Sequence, residues 1–114
     1  MQKKIIAVDF DGTLHTGNRY PYIGEPNTKL INFIKEHEND YIWVLWTCRE
    51  GKQLQYAIDW LLLEHQLIFH YVNRNVPAMV KKYGDDCRKI FADLYLDDKN
   101  VDTLWSLQNR LKRL

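Results

Sequence analysis

A chain of 114 residues, 46% hydrophobic and 27% charged, has the size of one ordinary domain and no room for a second core. Its 16 Lys and Arg against 15 Asp and Glu leave a net charge of +1, which excludes a protein that binds nucleic acid through bulk basic charge, and equally an acidic solvating tail. Cys48 and Cys87 are too few for a disulfide scaffold, no close Cys/His spacing supports structural zinc, and no apolar run is long enough for a signal-peptide core or a membrane span. A reduced, cytoplasmic protein with no membrane partner is the expectation.

Along the chain, strand-like and helix-like segments alternate. Residues 4–10 form a β-branched run that stops at the turn Asp11-Gly12-Thr13. Residues 14–26 contain Gly17, Pro21, Gly24 and Pro26 and read as an irregular loop or tight hairpin. Leu30, Ile31, Phe33, Ile34 and His37 then repeat near the helical period. Residues 41–46 (YIWVLW) are apolar at every position, the pattern of a strand buried on both faces of a parallel sheet.

A second amphipathic helix follows Gly51, carrying Leu54, Ala57, Ile58, Leu61, Leu62 and His65. Residues 68–72 predict a short strand that runs into Asn73-Arg74-Asn75, and residues 76–83 a short helix entered at Pro77. Residues 90–96 predict the last strand, and Val101, Leu104, Trp105, Leu107 and Leu111 the closing helix. This order predicts an α/β fold with a mainly parallel central sheet in one domain spanning residues 1–114.

Ligands of open α/β sheets bind outside the carboxyl ends of the strands. Those ends hold Asp9 and Asp11, then Thr47-Cys48-Arg49, then Asp97-Asp98, with Lys89 just before the last strand. Several carboxylates brought together repel one another unless a cation sits among them, and an all-oxygen set suits Mg²⁺. Asp11, two residues beyond Asp9, is expected on the same side of the extended segment.

The run Asp9-Phe10-Asp11-Gly12-Thr13 after an apolar strand resembles the first motif of the haloacid dehalogenase superfamily of phosphohydrolases. Thr47 resembles its second motif, Lys89 its third and Asp97-Asp98 its acidic fourth, in the same order along the chain. More narrowly, the chain is similar to small capless members of the kind found as bacterial or phage-type hypothetical hydrolases. The resemblance implies a Rossmann-like three-layer α/β/α sandwich with the first strand central, the second on one side and the last on the other.

The resemblance also implies roles. Asp9 would be the nucleophile that forms an aspartyl-phosphate, and Asp11 the general acid/base. Thr47 and Lys89 would bind the phosphate; by their position, Cys48 lies beside that phosphate site and Arg49 is placed to grip a phosphate or a substrate carboxylate. Asp9, Asp11 through its backbone carbonyl, Asp97 and Asp98 would hold Mg²⁺. Between Asp97 and Asp98 the direct ligand stays open, the other capping the last helix or orienting Lys89.

Each residue also has a plainer reading. Asp11-Gly12 serves as a turn, Thr47 as a helix cap, Lys89 as one solvated lysine near Lys81, Lys82 and Arg88, and Arg49 as a surface partner of Glu50. Cys48 is expected to turn into the core, the asparagines of residues 73–75 to make a turn, and none of His15, His37, His65 and His70 to bind metal. Most tryptophans and tyrosines are expected in the core, with Tyr20 and Tyr22 over the site.

Residues 14–25 are too few for a cap domain. The open site suits a bulky phosphorylated substrate such as a nucleotide, nucleic-acid end or protein, or a second subunit as cover. A receiver-type phosphoacceptor domain and a non-catalytic binding or regulatory protein of the same fold are the alternatives. The receiver type is disfavoured because its acceptor aspartate ends a middle strand, whereas here the middle strands end at Thr47 and near Asn73.

Overall fold

The computed structural model describes residues 3–97 and 103–114. The first strand, β1 (Ile5–Val8), consists of four buried apolar residues. It lies between β4 (Ile42–Leu45) and β6 (Leu94–Leu96), with β5 (Tyr71–Val72) outside β4, and all of these pairings are parallel. The central place of the first strand, flanked by the second long strand and the last, is as expected. The strands are shorter than the runs that predict them, and the residues left outside the strands include the exposed Trp46 and Ile68.

Two carboxylate and imidazole caps finish the sheet where the backbone alone would leave donors unpaired. The Asp93 carboxylate accepts the Ile5 N–H at 2.7 Å, while the Asp93 N–H donates to the Ile5 carbonyl. His70 Nδ1 accepts the N–H of Trp43 at 2.9 Å. Buried backbone donors need such partners, and here side chains supply them.

Residues 14–26 form a small antiparallel hairpin, β2 (His15–Thr16) with β3 (Glu25–Pro26). Asn27 caps the next helix, α1 (Thr28–Glu36), by accepting from Leu30 N–H, and its amide donates to the Thr13 carbonyl. The second helix, α2 (Gly51–His65), ends in a left-handed Gln66 whose N–H bonds back to Leu62. The short α3 (Pro77–Tyr83) starts on a proline and stops at Gly84 at φ +76°, which only glycine adopts without strain. The last helix is α4 (Thr103–Leu111). Among the described residues no helix is long and apolar enough to cross a membrane.

Alternation along β1 divides the core. Ile6 and Val8 face a large cluster with Leu30, Ile31 and Ile34 of α1, Ala57 and Leu61 of α2, and Leu107 of α4. Ile5 and Ala7 face a smaller one with Val44, Val76, Ile90 and Ala92, flanked by Met79 of α3 and by Tyr95. One face is therefore covered by three helices and the other by one short helix and a loop. The expectation that the aromatics build the core is corrected. Of the four tryptophans only Trp43 is fully buried, and every tyrosine keeps some exposure. Their polar atoms need partners or water, so they sit at the margins of the layers.

The loop between α3 and β6 is fastened by one side chain. Asn75 is buried; its amide nitrogen donates to Asp86 and to the carbonyls of Cys87 and Lys89, and its oxygen accepts from Phe91 N–H. Asn75→Ala is expected to lower stability by about 1–3 kcal/mol, since one buried side chain gives up several hydrogen bonds together. Urea unfolding of the two proteins measures this, and a difference under about 0.5 kcal/mol would contradict the network.

Candidate functional site

Three strands end side by side at one edge of the sheet. β1 runs into Asp9, β4 into Trp46-Thr47-Cys48 and β6 into Asp97. Asp9 extends the ladder by donating its N–H to the Leu96 carbonyl at 2.9 Å, and its Oδ1 accepts the Phe10 N–H at 2.8 Å. With Trp46, Thr47 and Cys48 it lines an open cleft of about 190 Å³. The period of two places Asp9 on the thinly covered face, with Ile5 and Ala7.

Thr47 is held from two sides. Its N–H donates to Asn73 Oδ1 at 2.8 Å, and its Oγ1 accepts the Arg49 N–H at 3.1 Å. A hydroxyl used as acceptor keeps its own hydrogen, so Thr47 can still donate into the cleft. Asn73 reaches it from a left-handed backbone at φ +51°, a conformation Asn tolerates better than most residues. Sequence reasoning read this asparagine as a turn residue and missed that the turn aims it at Thr47.

The expected inward Cys48 and outward Arg49 are exchanged. Cys48 is exposed, whereas Arg49 is fully buried. Its Nε and Nη2 donate to the two oxygens of Asp11 at 2.9 and 2.8 Å, and Nη1 donates to the Gln53 carbonyl at 3.3 Å. The guanidinium carbon lies 5.0 Å from the ring centres of both Phe10 and Tyr20. A planar cation can be buried only with such a matched carboxylate and ring faces, and Cys48 needs neither. The reading of Arg49 as a surface partner of Glu50 is thereby overturned.

Asp11 has a third donor. His15, almost fully buried, places Nε2 at 2.8 Å from Asp11 Oδ1, while its Nδ1 faces the Gly24 N–H at 3.0 Å. A backbone N–H can only donate, so Nδ1 is the acceptor and Nε2 carries the proton toward Asp11. Burial works to raise the Asp11 pKa. Hydrogen bonds from Arg49 and His15, together with the Arg49 charge, outweigh it and hold the carboxyl below its ordinary value of 3.8. The strand ends at Val8 and the chain bends at Phe10, so the hydrogen bonds from Arg49 and His15 hold the Asp11 side chain where the ladder of β1 no longer does. His15 went unrecognised as a site residue; its spacing of four from Asp11 was the available signal.

Lys89 is exposed and lies beside the cleft rather than in its lining. It shares a hollow of about 500 Å³ with Trp46, Arg88, Tyr95 and Asp97. The carboxylates assigned to Mg²⁺ stand in three situations. Asp9 and Asp97 end neighbouring strands, Asp11 is engaged by Arg49 and His15, and Asp98 lies outside the described residues. Among the described residues no three His, Cys, Asp or Glu are gathered closely enough to hold a metal ion. The oxygen donors Asp9 and Asp97 are of the type Mg²⁺ accepts, and it commonly takes only one or two carboxylates beside water and phosphate.

The whole chain is similar to a conserved protein of Bacteroides thetaiotaomicron of known structure. The two share 32% sequence identity at a TM-score of 0.80, over 99% of this chain and 93% of that one. Identity and coverage at this level place both in one family, and the chain belongs to it. No protein-family model matches the chain. A search of curated proteins likewise finds no match.

The Asp11–Arg49 pair has a pH signature. A carboxyl whose folded pKa is depressed stabilises the fold above its unfolded value of about 3.8, and that contribution is lost as pH falls through the folded pKa. Arg49→Met is expected to destabilise the protein by about 2–3 kcal/mol at pH 7, less than for a fully buried pair because Asp11 keeps 35% side-chain exposure. The gap should narrow below pH 3.8. Urea denaturation from pH 7 to pH 2.5 checks this, and a gap independent of pH would mean that Arg49 acts by packing alone.

Proposed function

We propose that the chain is a Mg²⁺-dependent phosphohydrolase of the haloacid dehalogenase type, in a Rossmann-like sandwich without a cap, acting on phosphate monoesters. What supports this reading above all is Asp9, at the carboxyl end of the central strand, facing Thr47 across an open cleft. The Phe10 N–H on Asp9 Oδ1 fixes the orientation of the carboxylate, which is what a weak nucleophile needs most.

Asp9 attacks phosphorus, the bond from phosphorus to the leaving oxygen breaks, and an aspartyl-phosphate forms. Water then attacks the phosphorus, releasing phosphate and restoring Asp9. Thr47 donates its hydroxyl to a phosphoryl oxygen. Asp11 serves as the acid/base group, and Arg49 and His15 act as positioning residues that hold it. They keep it ionised, the form that can accept a proton from water, and at the same time lower its basicity. Asp9 and Asp97, with the Asp11 carbonyl, would hold Mg²⁺, which supplies neutralisation of the charge on the transferred group.

The hairpin β2–β3 is too small to enclose a substrate. Its Tyr20 lies over Arg49 and keeps 60% exposure, so a bulky phosphorylated molecule has access to the strand ends.

Phosphate release from a broad panel of phosphorylated metabolites tests the reading. Asp9→Asn should abolish release with the fold intact. Asp11→Asn should slow it by about 10²–10⁴-fold. Chelation should stop the reaction, Mg²⁺ should restore it and Ca²⁺ should not, because Ca²⁺ takes more oxygens at longer distance. Near-native turnover by Asp9→Asn would exclude the covalent route.

A further inference from the structure

The cleft at Asp9 is one end of a longer groove. Trp46 lines both the cleft and the hollow that contains Arg88, Lys89 and Asp97. Lys89 and Tyr95 in turn line a pocket of about 420 Å³ walled by Met79, Tyr83 and Phe91. Three concavities with shared walls thus run from the nucleophile, past two cations, to an aromatic pocket between α3 and the loop that precedes β6.

The chemistry changes along this path in one direction. At the cleft end stand a carboxylate and a hydroxyl. In the middle, the side chains of Arg88 and Lys89 have no hydrogen-bond or ion-pair partner among the described residues. At the far end two of the polar side chains are already engaged. The Asn75 amide is spent on the loop, and the Tyr95 hydroxyl donates to the Ile90 carbonyl and accepts from Ala92 N–H. Tyr95 therefore offers ring surface to the groove, and its ring meets Trp46 edge-on at 5.5 Å. Asp85, also in the pocket wall, accepts the Asp86 N–H.

A ligand that matches the groove is anionic at one end and flat and aromatic at the other, with a part between them that passes Lys89, Tyr95 and Trp46. We propose that the groove takes the nucleoside part of a nucleoside monophosphate, deepening the phosphohydrolase reading on which its catalytic relevance rests. The base stacks among Tyr83, Phe91 and Met79, the sugar crosses Tyr95 and Trp46, and the phosphate passes Lys89 to reach Asp9. Stacking on aromatic side chains tolerates any base, so the groove selects a nucleotide over a sugar phosphate rather than one base over another.

The test separates binding from turnover. Calorimetry on the full chain carrying Asp9→Asn, with Mg²⁺, compares the four common nucleoside 5′-monophosphates with ribose 5-phosphate. The nucleotides are expected to bind at least tenfold tighter. Tyr83→Ala, at an exposed position at the end of α3, and Met79→Trp, which fills the pocket, should each remove that advantage and leave ribose 5-phosphate binding unchanged. Equal affinity for nucleotides and ribose 5-phosphate, or a preference that survives both variants, would overturn the assignment. Phosphate release by the unmodified chain is measured in parallel. A nucleotide preference without release would leave the groove standing and remove the hydrolase, whereas release with no preference in binding would do the reverse.

Discussion

An arginine with no solvent access must be matched by a carboxylate, and Arg49 finds its match 38 residues earlier in Asp11. That pair ties the chain leaving β1 to the chain leaving β4, directly beside the cleft. His15 brings the hairpin into the same network, and the Gly24 N–H on its far nitrogen holds the imidazole in place. Gly24 has no substitute there, since an added Cβ would sit 2.0 Å from the Thr16 carbonyl oxygen. Three stretches remote in sequence are thus locked by one set of hydrogen bonds, and the orientations of Phe10 and Tyr20 follow from it.

The unequal covering of the sheet has a functional consequence. Three helices bury one face, while the other carries only α3 and a loop fastened through Asn75. Asp9, Trp46 and Tyr95 emerge on the lightly covered side. Concavities can persist there because too little chain is available to fill them, and the aromatic rims limit how far they collapse. The open cleft and its extension toward α3 follow from this asymmetry. Openness also means that discrimination between substrates has to come from contacts along the groove, because among the described residues no element closes over the reacting group.

The main lines of this architecture were legible in the residues. The unbroken apolar run of residues 41–46 announces a strand buried on both faces, and Trp43, Val44 and Leu45 are buried in β4. The period of Leu30, Ile31 and Ile34 gave the inner face of α1, and those three are its buried residues. At Cys48 and Arg49 a local preference is overridden by partners from elsewhere in the chain. Cys48 is the more apolar of two adjacent residues and would ordinarily go inside. Arg49 goes instead, because Asp11, Phe10 and Tyr20 together compensate its desolvation, and none of them is near it in sequence.

The sequence by itself determined the alternation of strands and helices, the inner face of α1, and the placing of Asp9, Thr47 and Asp97 at strand ends. All of these follow from local periodicity and from the turn chemistry that stops each element. Only the tertiary structure decided which donors hold Asp11, which proton His15 carries, why Asn73 faces Thr47, and that Trp46 and Tyr95 meet to continue the cleft into a groove. Periodicity specifies the side of an element from which a residue leaves. Which group it meets depends on strand register and on the path of loops between distant segments, and these are settled by packing the whole chain at once.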